Sequence, residues 1–129
     1  MTKAALWILQ VLLALHTAMG ALWKLSNSVQ TVPSLSAIPQ GVWLALSGLE
    51  ALCVVALLAP AVAKRLAPLA PLAAAAIATE MVLFTAVHLA TGHPVDGQVA
   101  YWAVVAVLCA VLALGRAARR PAGLASARA

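Results

Sequence analysis

Three ionisable side chains interrupt otherwise apolar stretches of the sequence: His16, Glu50 and Glu80, with His88 two helical turns beyond Glu80. Carboxyls and an imidazole in such surroundings can carry protons, act as general acid and base, or hydrogen-bond a polar head group. Helical spacing gathers further residues onto their faces. His16 shares a stripe with Gly20, Trp23 and Lys24; Glu50 shares one with Trp43 and Ser47; Glu80 shares one with Phe84 and His88. Two buried carboxylates near one another cannot both be charged cheaply. At least one of Glu50 and Glu80 is therefore expected to be protonated or paired with His16. The bland alternative is a polar clasp that only fixes packing. The same residues are acceptable metal ligands, but no H-x-x-H or E-x-x-H pair is present and no metal is expected. His93 and Asp96 read as polar loop residues. Cys53 and Cys109 fall at matching depths, yet without a C-x-x-C motif they read as small buried hydrophobes. No phosphate loop or nucleophile elbow occurs.

The elements that position these groups are set by composition. Of the 129 residues, 65% are hydrophobic and 9% charged, and the mean hydropathy is +1.05. A soluble domain is about a quarter charged, and one this small leaves much of its surface in water. The chain is thus an integral membrane protein, where lipid solvates the apolar surface. Hydropathy predicts four spans, about Ala4–Trp23, Gly41–Val62, Leu66–Ala90 and Gln98–Gly115, each near the roughly 20 residues a spanning helix needs. They lack the alternation of barrel strands. The fold class is all-α, a four-helix membrane bundle, with residues 1–118 as one domain and 119–129 as a basic tail. By the rise of an α-helix, His16, Glu50 and Glu80 each lie roughly 12–17 Å below one bilayer boundary. They are expected to face inward and meet, with Lys24, Trp23, Trp43 and His88 lining a pocket above them, open to the outer surface.

Charge distribution orients the bundle. Lys3, Lys64, Arg65, Arg116, Arg119, Arg120 and Arg128 all fall on one side of four spans, and Lys24 falls on the other. The positive-inside rule places both termini in the cytoplasm. The basic residues flank spans instead of forming one face, so no nucleic-acid partner is expected; the tail is suited to anionic lipid head groups. Lys3, the apolar run and Ala18-Met19-Gly20 mimic a signal peptide, but His16 inside the run argues against cleavage.

The linkers are unequal. Lys64–Arg65 makes a tight turn between Pro60 and Pro68, with Pro68 and Pro71 marking the start of helix three. Thr91–Gly97 is a short polar turn. The first linker, about Lys24 to Gln40, carries Leu25, Val29, Val32, Leu35 and Ile38 every three or four residues. It reads either as a broken half-helix over the outer mouth or as a plain solvated loop. On helix four, Ala103, Ala106, Ala110, Ala113 and Ala117 form a small-residue seam that would let it approach its own bundle or a second copy.

The chain resembles the DoxX-like family of small four-helix bacterial membrane proteins. The resemblance rests on Gly20-Ala21-Leu22-Trp23-Lys24-Leu25, on Ser47-Gly48-Leu49-Glu50 followed by an apolar run and Pro60, and on Glu80 with the Val87-His88 region. It implies a bacterial inner-membrane protein tied to redox systems, since named members include a subunit of thiosulfate:quinone oxidoreductase. Three readings follow. The chain anchors or couples an oxidoreductase and contacts quinone and a redox protein partner. Alternatively it is an acid–base membrane enzyme, an isomerase or hydrolase, acting on a lipophilic small molecule through His16, Glu50 and Glu80. The third reading is a small transporter or structural module. Homo-oligomers fit any of these.

Overall fold

The computed structural model describes residues 2–28 and 31–119; Val29, Arg120 and Arg128 lie outside them. The described chain is a four-helix bundle: α1 spans Lys3–Ser26, α2 Gln40–Val62, α3 Leu69–Ala90 and α4 Gly97–Ala118. All four are long and apolar enough to cross a membrane. Each neighbours the next, and the ring closes through a sparser contact between α1 and α4. One end of the bundle holds the start of α1, the α2–α3 connection and the end of α4; we call it the terminal end. The other, the loop end, holds the 27–39 and 91–96 connections.

Local chemistry explains the boundaries. Thr2 caps α1 by accepting from the Ala5 N–H, and Asp96 caps α4 by accepting from the Gln98 and Val99 N–H groups, which otherwise lack partners. Pro39 precedes α2. The tight turn at Lys64–Leu66 is a 3-10 turn, so α3 begins only after Pro68, three residues later than hydropathy suggests. It ends in a Schellman turn: His93 N–H donates to His88 O and Gly92 N–H to Leu89 O. Gly92 takes φ +87 there, which a Cβ would oppose. In lipid the helical hydroxyls need internal acceptors, and Thr79 and Thr85 find them in Ala75 O and Met81 O at 2.8 and 2.9 Å.

The first linker is neither a half-helix nor wholly solvated. Among its described residues it forms a 3-10 turn at Pro33–Leu35. Leu35 and Ile38 turn into the core and Ser34 is buried. Thr91 donates to Ser34 O at 3.3 Å and so ties the linker to the end of α3. Leu25 remains exposed.

Small residues are most deeply buried on α3. Ala70, Ala73 and Ala74 of α3 are buried. On α4, Trp102, Val105, Cys109 and Leu112 form the buried stripe, while Ala103, Ala110 and Ala117 are exposed and Ala106 and Ala113 half-buried. The alanine seam is therefore divided: Ala106 and Ala113 pack against the core, and Ala103, Ala110 and Ala117 face out of the bundle. Large side chains with one repeat outcompeted the alanines for the interior, because they bury more apolar area per residue.

The terminal end is tightly closed. Leu6, Leu57 and Leu112 are fully buried, and Gly115 lets α4 press on α1. A Cβ at Gly115 would stand 2.6 Å from Leu6 Cδ2. Gly115→Val is expected to destabilise the bundle by about 1–3 kcal/mol through overpacking, read as a lowered unfolding midpoint in detergent. Adding Leu6→Ala should recover part of that loss, because it removes the methyl that valine meets. An unchanged midpoint in Gly115→Val would show that α1 and α4 part freely there.

Candidate functional site

The site is built on a buried ion pair. Lys24, near the end of α1, turns its chain back into the bundle and donates from Nζ to Glu50 Oε1 of α2 at 2.6 Å. The same ammonium lies 3.6 Å from Glu80 Oε1 of α3. Lys24 is 6% exposed and both glutamates 3%. The ammonium also sits 5.2 Å from the Trp43 ring centroid and 5.1 Å from that of Phe84, within range of cation–π attraction. Carboxylates on one side and aromatic faces on the other thus account for its surroundings. Glu50 Oε2 and Glu80 Oε1 are buried without a hydrogen-bond partner.

Backbone placement makes this pair possible. Gly20 brings α1 against the Glu50 carboxyl; a Cβ there would lie 3.5 Å from Oε2. Ser47 donates to Ala21 O at 3.0 Å. The Trp43 indole N–H is shared between Lys24 O at 3.2 Å and Asn27 O at 3.0 Å. These bonds clamp the start of α2 to the end of α1, and so fix the register of Lys24 against Glu50.

Above and beside the pair lies a cavity of about 430 Å³. Trp23, Trp43, Phe84 and Trp102 wall it, Val32 and Leu35 of the first linker cover it, and His16, Thr17, Gly20 and Tyr101 line it between α1 and α4. The aromatic rings form a chain, with centroids 6.0 Å apart for Trp23–Trp43, 6.3 Å for Trp43–Phe84 and 5.8 Å for Phe84–Trp102.

Several sequence-derived residues occupy different relations from those their stripes suggest. Glu50 and Glu80 do come together, but His16 does not join them. Its Nε2 instead hydrogen-bonds the Tyr101 hydroxyl of α4. Lys24, expected above the carboxyls, reaches down between them; a flexible four-carbon stem can take its charge to the nearest counter-charge. Trp43, Ser47 and Phe84 are buried, and Trp23 is partly exposed at the cavity rim. His88 is buried off the cavity, edge-on to Trp102 at 5.4 Å. Its Nε2 donates to Pro94 O at 3.0 Å and lies 3.4 Å from Asp96 Oδ1, so it braces the α3–α4 turn, and His93 stacks at 5.1 Å. Cys53 and Cys109 are buried free thiols. Among the described residues no group of three His, Cys, Asp or Glu side chains is placed to hold a metal ion.

Sequence reasoning missed Thr17, Tyr101 and Trp102. Gln98, Tyr101 and Trp102 fall three and four apart, the same test applied to the other helices, and would have been found on α4 by polar and aromatic type. It also missed a second polar cluster near the terminal end. Gln10 of α1, fully buried, donates to Leu57 O and accepts from Arg116 Nε at 2.8 Å. The Arg116 guanidinium lies over Trp7 at 4.8 Å.

Removing Lys24 leaves two carboxyls buried without their counter-charge. Lys24→Met is expected to cost about 3–5 kcal/mol, measured by equilibrium unfolding in mixed micelles. Lys24→Met combined with Glu50→Gln leaves Glu80 as the one carboxyl of the cluster, which a single proton neutralises, and should lie nearer the parent. Equal losses in the single and double variants would mean that the pair contributes through shape alone.

The comparisons agree with this architecture. The sequence model described as the DoxX-like family matches residues 8–113, from the first third of α1 to the last turns of α4. No curated protein and no solved structure matches the chain. The matched span includes all four helices and every residue of the cavity and its ion cluster, and the chain belongs to the DoxX-like family.

Proposed function

We propose that this protein is a membrane subunit of a redox system, and that its cavity holds a lipophilic carrier of the quinone type with the polar head at the Lys24–Glu50–Glu80 cluster. The observation that carries this reading is a buried, only partly satisfied ion cluster at the inner wall of an aromatic cavity. Ionisable groups at such depth are expensive in lipid and are retained where they meet a ligand or a proton path. Apolar pockets with a few convergent polar groups are the usual form of small-molecule sites.

Converting a quinone to its quinol takes two electrons and two protons. The electrons come from a redox protein partner, which the family resemblance suggests. The chain's own residues handle the head and the protons. Two carboxyls and one ammonium carry a negative charge in excess, and one proton on the cluster restores neutrality. Glu50 and Glu80 can therefore pass one proton at a time while Lys24 holds both in place, and two such transfers, with the cluster reprotonated through the cavity between them, supply both protons. Trp43, Phe84 and Trp102 exclude water and stack on a planar ring. The positive-inside distribution of basic residues puts the terminal end in the cytoplasm, so the cavity faces the outer side of a bacterial inner membrane.

A second reading shares the same atoms. Glu50 and Glu80 in different protonation states form an acid–base pair for isomerisation or hydrolysis of a lipophile. It is favoured by the two unpartnered carboxyl oxygens. Turnover by the purified chain without an electron donor, abolished in Glu80→Gln, would select it over the first.

The test is binding in lipid nanodiscs, read by quenching of the cavity tryptophans with a decyl benzoquinone in its oxidised and reduced states. Saturable quenching is expected for at least one state, weakened about tenfold or more in the double variant Lys24→Met with Glu50→Gln. Quenching that rises linearly for both states, alike in parent and variant, would show partition into lipid and overturn the proposal.

A further inference from the structure

The polar atoms left over on the cavity wall define what head group the cavity can receive. Thr17 and Glu50 are each 3% exposed, both line the cavity, and Thr17 Oγ1 and Glu50 Oε2 have no hydrogen-bond partner. Thr17 departs from its neighbours in kind. Thr79 and Thr85 satisfy their hydroxyls on the carbonyl four residues back, the usual arrangement in a membrane helix, whereas Thr17 does not. Gly20 lies one turn from Thr17 and leaves Glu50 Oε2 uncovered on the α1 side. Lys24, the strong donor nearby, already faces Glu50, Glu80 and two aromatic rings. A carboxylate oxygen accepts only, with two lone pairs. Glu50 Oε2 can therefore take only a donor, whereas the Thr17 hydroxyl and His16 Nδ1, the other unpartnered atoms of the lining, can accept or donate.

The cavity's shape supplies the second half. Along the α1–α4 seam, the terminal end is shut by Leu6 against Gly115 and by Gln10 with Arg116. His16 and Tyr101 bridge the seam further along. Beyond that bridge the lining residue Met19, 71% exposed, stands at the outer surface of the helices, and Tyr101 of the bridge is itself 46% exposed.

We infer that the cavity selects an amphiphile by a hydrogen-bond-donating head, a phenolic or alcoholic hydroxyl received by Glu50 Oε2 and Thr17 Oγ1, and that the apolar body leaves sideways between α1 and α4 into the membrane. This rests on the reading of the cavity as a lipophile site and names the head chemistry it takes. For a carrier with two redox states, the hydroxylated state binds more tightly than the dione. An unpaired buried acceptor favours a donor and penalises a second acceptor.

The probes are a ring-brominated 4-dodecylphenol and its methyl ether, added to the full chain in nanodiscs and read by bromine quenching of the cavity tryptophans. The phenol is expected to bind about tenfold or more tightly than the ether, the worth of one hydrogen bond to a charged group. Gly20→Ala sets a methyl in ordinary van der Waals contact with Oε2, and Thr17→Val removes the hydroxyl at equal size. Both should fold and both should shrink the gap. Equal affinity of phenol and ether in the parent overturns the inference, and the proposed function survives if the benzoquinone still saturates. If neither the phenol, the ether nor the benzoquinone saturates, the lipophile site itself is wrong. For the sideways exit, a nitroxide at the far end of the phenol's chain should saturably quench an added tryptophan in Met19→Trp and not in Leu52→Trp. Equal quenching at the two positions overturns that half.

Discussion

A lysine ammonium pulled into the membrane interior governs this structure. At that depth neither water nor lipid can solvate Lys24, so its carboxyl partners must be delivered to it by neighbouring helices. Glu50 comes from α2 at 2.6 Å and Glu80 from α3 at 3.6 Å. Each nearby feature serves that geometry. Gly20 gives the carboxyl room, Ser47 and Trp43 tie the two helices at two heights, and Trp43 and Phe84 present ring faces to the charge. Three of the four helices are thereby indexed to one point. A slip of α2 by one residue would rotate Glu50 by about 100° and expose it to lipid.

The two ends of the bundle differ because their side chains differ in size and polarity. Toward the terminal end, alanines of α3 and fully buried leucines of α1, α2 and α4 interdigitate, and a glycine removes the last obstacle between α1 and α4. Toward the loop end, Trp43, Phe84, Trp102 and a lysine stem occupy the interior, with Trp23 exposed at the rim. The four rings pair at tilts of 40–70°. The cavity lies among them, and the 3-10 turn with Leu35 covers it without filling it.

The sequence made the four spans legible because lipid imposes one rule on every residue of a span. It made Glu50 and Glu80 conspicuous for the same reason. The helical stripes also told which residues share a face with them, and Trp43, Ser47 and Phe84 do face inward. A stripe carries no information on which neighbour it meets. His16 lies on the stripe of Gly20, Trp23 and Lys24, yet it sits on the α4 side and bonds Tyr101, while the flexible Lys24 crosses to α2. The α4 alanines did not tell which side they face, because Trp102, Val105, Cys109 and Leu112 take the buried stripe and leave only Ala106 and Ala113 against the core. Gln10 and Arg116 escaped notice because an uncharged amide in a span and an arginine at a span's end each look ordinary alone.

The one-sidedness of the cavity weighs between the functional readings. Below the ion cluster the interior is apolar and filled: Cys53, Leu57, Ala73, Ala74, Cys109 and Leu112 are all buried. Gln10 is polar but occupied by Leu57 O and Arg116 Nε, while Arg116 keeps one unpartnered Nη2 at the terminal end. A proton or a solute reaching Glu50 from the loop end therefore meets no continuing polar path toward the terminal end. Transport across the membrane would require these helices to repack, including the approach of α4 to Leu6 of α1 at Gly115. A carrier that stays in the membrane plane needs no such path. It needs a side opening, an apolar wall and a polar point at which to exchange a proton with one face. On the proposed reading the seam between α1 and α4, the aromatic chain and the Lys24–Glu50–Glu80 cluster would supply those three requirements, and that reading asks less repacking of the bundle than a conduit through it.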